Sequence, residues 1–262
     1  MPSRPLTLVT GASSGIGLEL ARLFAADGDD IALVARRADR LEALAREIAD
    51  RHGVTVLPIA ADLADPAAPA RILAELAGQG RAPEIVVNNA GFGLVGSAAK
   101  LPVDRQLQMI DVNVRALTEL TLRTLPGMIE RRRGGVLNVG SVAGFLPGPG
   151  MAIYFATKAF VLSFSEALAE EVRPHGVTVT AVCPGPTATE FQAVSGGRGS
   201  AGKIVPAMTG EEVAIIGHEG FRAGKTLVVT GGRNKVVAAA VPRLVPRSIL
   251  RKLVLWQQGR HD

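Results

Sequence analysis

The segment Thr10-Gly-Ala-Ser-Ser-Gly-Ile-Gly17 joins a short apolar run, Leu6 to Thr10, to a helical pattern over Gly15 to Asp27. Glycines at such a junction let the backbone turn sharply and approach a pyrophosphate at the helix N-terminus, where unpaired N–H groups favour anions. The glycine spacing departs from G-x-G-x-x-G, so its place between strand and helix carries the reading. The alternation then continues. Strand patterns at Ile31 to Ala35, Val54 to Ala60, Ile85 to Asn88, Val136 to Gly140, Val177 to Cys183 and Leu227 to Thr230 are separated by helical ones. These include Ala38 to His52, a helix capped and opened by Asp65 and Pro66, Asp104 to Ile129, and Met151 to Val172. Gly53 is placed to end the second helix, and Thr209 with Glu212 forms a capping-box pattern. Repeated strand-helix-strand units predict an α/β fold: a single Rossmann-like, doubly wound parallel sheet of about seven strands with helices on both faces.

Composition supports a core of that size. Of 262 residues, 47% are hydrophobic, and the glycines and prolines follow no repeat, which excludes disorder and collagen-like structure. The lone Cys183 cannot form an internal disulfide, and His52, His175, His218 and His261 lack metal-ligand spacing. With no secretory pattern and no uninterrupted apolar run of membrane length, the expected location is cytoplasmic.

The net charge of +5 has its source in the tail, where Arg222 to Asp262 carries nine Lys/Arg against one acid. Residues 1–232 are read as a dinucleotide-binding catalytic domain and 233–262 as a basic amphipathic extension. In the latter, Val245, Ile249, Leu253 and Trp256 recur at helical spacing, with Arg243, Arg247 and Arg251 out of step. Pro242 and Pro246 place its regular part from about Pro246 onward. Such a helix suits peripheral contact with an anionic membrane, or packing on the substrate cleft or a second subunit. Trp256 is the only aromatic among its charges, which argues against nucleic acid.

Dinucleotide folds usually place an acid about 20 residues beyond the glycines to accept from the ribose hydroxyls. Here strand two ends in Ala35-Arg36-Arg37, with no acid before Asp39. Guanidinium groups bind phosphate oxygens and a carboxylate would repel them, so NADP(H) is expected over NAD(H). Asp62 and Leu63 are candidates for adenine contact, although Asp62 also suits a turn cap.

Four features join the glycine turn: Asn88-Asn-Ala-Gly91 after strand four, Asn113 in the long helix, Ser141 after strand five, and Tyr154-Phe-Ala-Thr-Lys158. With Pro184-Gly-Pro-Thr-Ala-Thr189 beyond strand six, the chain resembles the short-chain dehydrogenase/reductase family. The resemblance implies strand order 3-2-1-4-5-6-7 and a catalytic set of Asn113, Ser141, Tyr154 and Lys158. It implies a cofactor site of Gly11, Ser13, Ser14, Gly15, Ile16, Gly17, Arg36, Arg37, Asp62, Leu63, Asn89, Ala90, Gly91, Tyr154, Lys158, Pro184, Gly185, Thr187 and Thr189. It further implies that Lys158 holds the nicotinamide ribose, that Asn113 supports a water relay, and that the helices carrying Asn113 and Tyr154 pair in a homo-dimer or homo-tetramer.

The chemistry has a separate footing. Tyr154 and Lys158, four apart, share one helix face, and a nearby ammonium is expected to lower the phenol pKa and make Tyr154 a usable acid or base. Tyr154 is the only tyrosine in the chain. Ser141, at the carboxyl end of a strand, can hydrogen-bond a substrate oxygen. Asn113 can also bond backbone inside a bent helix, a role compatible with the relay. Cys183 reads as a buried thiol.

Phe92-Gly-Leu-Val95, Phe145-Leu-Pro147, Met151, Ile153 and Phe191 are apolar, and no charged residue occurs from Gly134 to Thr157. An apolar carbonyl or secondary alcohol is the expected substrate. Ser195 to Lys203 reads as a lid or a surface loop, with Arg198 or Lys203 able to meet a distant anionic handle. The alternatives are a 3-oxoacyl thioester reductase and a catalytically silent dinucleotide sensor.

Overall fold

The computed structural model describes residues 4–191, 195 and 207–257. The expected lid therefore lies outside the described residues except for Ser195, as do the side chains of Arg243 and Trp256.

The elements are β1 (Leu6–Thr10), α1 (Gly15–Ala26), β2 (Asp30–Ala35), α2 (Ala38–His52), β3 (Val56–Ala60), α3 (Ala68–Gly78) and β4 (Ile85–Asn88). Next come α4 (Val103–Ile110), a π-helical segment (Asp111–Ala116), α5 (Leu117–Arg131), β5 (Gly135–Val139), α6 (Ala152–Val172) and β6 (Thr178–Cys183). A two-residue pair, β7 (Thr187–Ala188) and β8 (Met208–Thr209), precedes α7 (Gly210–Arg222), β9 (Leu227–Val229), α8 (Gly232–Leu244) and α9 (Arg247–Gln257). Seven strands form one parallel sheet in the order β3-β2-β1-β4-β5-β6-β9, with β7 and β8 paired separately.

Side-chain alternation along the strands makes two cores. Val9, Ile31, Leu33, Val87 and Leu137 point to the face covered by α1, α2 and α7. Leu8, Ala32, Val34, Val86 and Val136 point to the face covered by α3, α5 and α6. Gly53, at φ 63°, ends α2 in the left-handed region, and Thr209 with Glu212 closes a reciprocal capping box on α7. The strand order leaves the carboxyl ends of β1 and β4, neighbours on which the chain runs outward in opposite directions, open at the crevice where such sheets bind ligands.

Three local expectations need correction. The pattern from Asp104 to Ile129 is not one regular helix, because the turn carrying Asn113 widens to π geometry between α4 and α5. The helix after strand three begins at Ala68, since Asp65 caps a preceding turn by accepting from the Ala67 N–H at 2.9 Å. The tail contains a helix, α8, that the proline argument missed. Its Pro242 lies in the final turn, and a separate helix follows Pro246.

In α9 the buried positions are Leu250 and Val254, whereas Ile249 and Leu253 of the expected apolar stripe are about half exposed. The start of α8 is fastened to the residues before it and to the loop after β6. Buried Asn234 donates to the Thr230 carbonyl at 2.7 Å and fills the space beside Gly185.

By length and mean hydropathy, α6 and the turn after it (Ala152–His175) could cross a membrane. Its buried side includes Thr157, Lys158, Ser165 and Leu168, and it packs on β6, so it serves here as a core helix.

Phe24 on α1 has no exposed surface and meets the rings of His218 and Phe221 on α7 edge-on, with centroids 4.8 and 5.8 Å away. Phe24→Ala should cost about 3–5 kcal/mol in urea unfolding. A loss below about 1 kcal/mol would contradict a close-packed layer at this position.

Candidate active site

The glycine turn is held by its neighbour strand. Thr10 donates its hydroxyl to the Val87 carbonyl at 3.2 Å, and the same oxygen accepts from the Asn89 and Ala90 N–H groups at 3.0 and 3.1 Å. Asn89 Nδ2 donates to the carbonyls of Thr10 and Gly11 at 3.0 and 3.2 Å. Gly11 has φ 65°, and a Cβ on Gly17 would overlap the Asn89 amide. Both glycines are therefore required by the fold of the turn as well as by a ligand's close approach.

Around this turn the structure assembles most of the expected cofactor residues. Arg37 Nη2 donates to the hydroxyls of Ser13 and Ser14 at 2.9 and 3.0 Å. Thr189 covers Gly15, with its methyl carbon 3.0 Å from where a Cβ would stand, and Ile16 packs on the core. Pro184 accepts from the Val142 N–H at 2.9 Å, and Thr187 donates to the Gly185 carbonyl at 3.0 Å. Arg36 is exposed beside them. Asp62 accepts from the Ala64 N–H at 3.0 Å, the turn-capping alternative, while the Leu63 side chain is buried in the core and leaves only its backbone for adenine.

The expected catalytic residues also converge. Asn113 is buried and accepts from the Phe92 N–H at 3.1 Å. Its Nδ2 donates to the Phe92 carbonyl at 3.0 Å and to the Thr157 hydroxyl at 3.1 Å. The amide thus joins the β4 loop to the start of α6, and its oxygen lies 3.1 Å from where a Gly91 Cβ would stand. Ser141, after β5, accepts from the Ala143 N–H at 3.1 Å. Its hydroxyl is directed to the Pro184 carbonyl at 3.5 Å and lies near enough to the Tyr154 phenol to act on it. Lys158 is buried and donates to the Val139 carbonyl at 2.7 Å. Its ammonium lies 5.9 Å from the Tyr154 ring centroid and 3.6 Å from the Gly91 Cβ position.

The electrostatics correct one expectation. Burial pushes the Tyr154 phenol up to about 12, and the opposing influence is the Ser141 hydrogen bond rather than the Lys158 ammonium. Burial also pulls Lys158 down to about 8, partly opposed by Cys183. Desolvation outweighs the expected lowering of the phenol, because the ammonium is directed at a carbonyl. The buried Cys183 thiol, raised to about 12, is not an activated nucleophile.

A narrow crevice beside Tyr154, with room for no more than about one water molecule, is lined by Leu94, Leu101, Met109, Met151 and Ile153. Gln106 also lines it, but its amide nitrogen is spent on the Ala98 and Leu101 carbonyls, both at 3.0 Å. Phe191 adds a wall, its ring centroid 5.3 Å from that of Tyr154. Phe145 does not: it packs on Leu162, Ala181 and Cys183.

The chain-local reading missed Thr157, Arg40 and Glu190. Nothing at Glu190 signals that its carboxylate meets Arg37, which is 153 positions away.

The bare glycine cradle between β1 and β4, with serine hydroxyls and a guanidinium beside it, fits a dinucleotide with an additional phosphate. Comparison with known proteins agrees. The pattern of the short chain dehydrogenase family matches residues 5–197. An NADP-dependent 3-hydroxy acid dehydrogenase of Salmonella typhi is 40% identical over 191 residues, 72% of this chain and 75% of that protein. A short-chain dehydrogenase of Sphingobium yanoikuyae, solved with NADPH, superposes with TM-score 0.83 at 36% identity, covering 90% of this chain and 92% of the other. A 7beta-hydroxysteroid dehydrogenase gives TM-score 0.85 at 28% identity, covering 95% and 96%. The chain belongs to the short-chain dehydrogenase/reductase family of oxidoreductases.

Proposed function

We propose that the chain is an NADP(H)-dependent oxidoreductase acting on an apolar carbonyl or the corresponding secondary alcohol. The observation that carries the substrate class is the apolar character of the side chains around Tyr154, where Leu94, Leu101, Met109, Met151 and Ile153 line a narrow crevice. A charged group there would lose its hydration without a partner. NADP(H), when bound, supplies or takes the hydride. Gly11, Gly15, Gly17, Ser13 and Ser14 would hold its pyrophosphate end, Arg36 and Arg37 its 2′-phosphate, and Lys158 its nicotinamide ribose.

Tyr154 is protonated at neutral pH, its pKa raised to about 12, and is therefore the proton donor when a carbonyl is reduced. Ser141 orients the oxygen that receives the proton. Below about pH 8 Lys158 carries a positive charge, held on the Val139 carbonyl at 2.7 Å rather than on the phenol.

Val103, Leu107 and Ile110 on α4, Leu122 on α5 and Phe160 on α6 are exposed apolar residues, which supports pairing of these helices between subunits. The half-exposed Ile249 and Leu253 beside exposed Arg247 and Arg251 support peripheral contact between a largely cytoplasmic enzyme and an anionic bilayer.

The assay that tests the reaction is NADPH consumption with a panel of apolar ketones, ketoacids and 3-oxoacyl thioesters. Turnover fastest with the ketones supports the proposal, and turnover confined to thioesters favours the acyl alternative. With the best ketone, Tyr154→Phe should lower kcat by about 10²–10⁴ while NADPH binding and circular dichroism stay unchanged. Near-normal turnover would remove Tyr154 from the proton transfer.

Joint replacement of Arg36 and Arg37 by alanine should raise the Kd for NADPH by about 10- to 100-fold, the scale of one or two charge-assisted hydrogen bonds. The Kd for NADH should change far less. Equal weakening of both cofactors would contradict 2′-phosphate recognition.

The full chain should co-sediment with anionic but not neutral liposomes, and a chain truncated after Gly232 should not. Absence of binding by the folded full chain would contradict the bilayer contact.

A further inference from the structure

Glu190 places a carboxylate where the cofactor reading needs a phosphate. One carboxylate oxygen accepts from Arg37 Nη1 at 2.8 Å and the other from Arg40 Nη1 at 2.7 Å. Ser14, on the glycine turn, accepts from the same Arg37 at 3.0 Å. Arg37 uses its remaining nitrogens on Ser13 and Ser14, so the face it offers to an anion is the one that Glu190 covers.

The placement is imposed by both chain neighbours. Thr189 lies over Gly15 at the cofactor cradle, and Phe191 packs on Tyr154 and lies 2.9 Å from where a Cβ on Gly93 would stand. A residue between two such anchored neighbours brings its carboxylate to the guanidiniums without ordering a free loop.

We infer that Glu190 is a specificity-determining residue for the cofactor: its carboxylate stands in for the 2′-phosphate on Arg37 and Arg40 and must be displaced when NADP(H) binds. This rests on Arg37 being the 2′-phosphate ligand. Glu190 acts through the arginines and is a positioning residue. A 2′-phosphate brings more oxygens and up to twice the charge to the same N–H groups, so it wins the exchange, whereas the neutral ribose hydroxyl of NAD(H) leaves the carboxylate in place. Glu190 thus lowers NADP(H) affinity below what the arginines alone would give, and keeps the two cations compensated when no phosphate is present. The two arginines hold the carboxyl down at about 2, so protonation of Glu190 does not release it at physiological pH, and the competition shifts toward the phosphate as the 2′-phosphate loses its second proton at about pH 6.

The test is titration of the full chain with NADPH, NADH, 2′,5′-ADP and 5′-AMP, the last two reporting on the adenosine end without the nicotinamide. Glu190→Gln should tighten NADPH and 2′,5′-ADP by about three- to tenfold, the scale of one or two exposed ion pairs, and leave NADH and 5′-AMP unchanged. Glu190→Ala should do the same, since the effect is loss of a competing charge.

Arg37→Ala, measured alongside, separates this inference from the reading beneath it. If Arg37→Ala weakens all four ligands equally, the 2′-phosphate assignment fails and the competition with it. If Arg37→Ala weakens only the phosphorylated pair, yet Glu190→Gln leaves that pair unchanged or weaker, the competition alone is overturned. Equal tightening of all four by Glu190→Gln also overturns it, because a surface tie between the β7 loop and α2 would not distinguish a 2′-phosphate from a hydroxyl.

Discussion

The Asn113 carboxamide is the interaction on which the geometry of the site depends. It satisfies both the N–H and the carbonyl of Phe92 and also reaches Thr157, at distances of 3.0 to 3.1 Å. These three bonds join the segment after β4 to the first turns of α6, which carry Tyr154 and Lys158. The π-helical turn from Asp111 to Ala116 holds this residue between α4 and α5, and such bulges recur where a helix is asked to present a functional group. Without the amide, two partly buried backbone groups of Phe92 would lose their protein partners, at up to about 1 kcal/mol each where water can replace them.

Around that clamp the site uses burial as its main electrostatic lever. Lys158 and Tyr154 are each shifted toward the neutral form, to about 8 and about 12. A buried ammonium held on the Val139 carbonyl at 2.7 Å is costly, and the parallel sheet meets that cost by presenting the end of β5 to α6. Deeper in, Asn88 donates to Asn138 and Thr121, and Asn138 donates to Ser165, which joins β4, β5, α5 and α6 through buried amides. The layers that carry the chemistry are thus fixed to one another by polar contacts as well as by apolar packing.

The framework of this arrangement was legible in the sequence. The short β-rich runs, the glycine turn and the caps at Gly53 and Thr209 are local signals that give the alternating α/β framework, and the family resemblance supplies the strand order. What was not legible depends on distance in sequence. The π turn brings Asn113 to Phe92, twenty-one positions earlier, a contact that no local pattern announces. Glu190 meets Arg37 and Arg40 only through the fold. The Tyr154 pKa was misjudged because i,i+4 spacing places two side chains on one face without saying that the ammonium will turn to a strand carbonyl. The tail was misread for a related reason: periodicity found an apolar stripe at Ile249 and Leu253, whereas packing selected Leu250 and Val254.

Prearrangement of the proposed catalytic groups by the Asn113 amide is tested in Asn113→Ala. Hydrogen exchange of the Phe92 amide and single-turnover hydride transfer at saturating NADPH would be followed in the same samples. The account predicts that Phe92 loses its protection and that hydride transfer slows by about 10²-fold, the cost of a small misplacement of reacting groups, while NADPH still binds. Retained protection at Phe92 with a near-normal rate would contradict it.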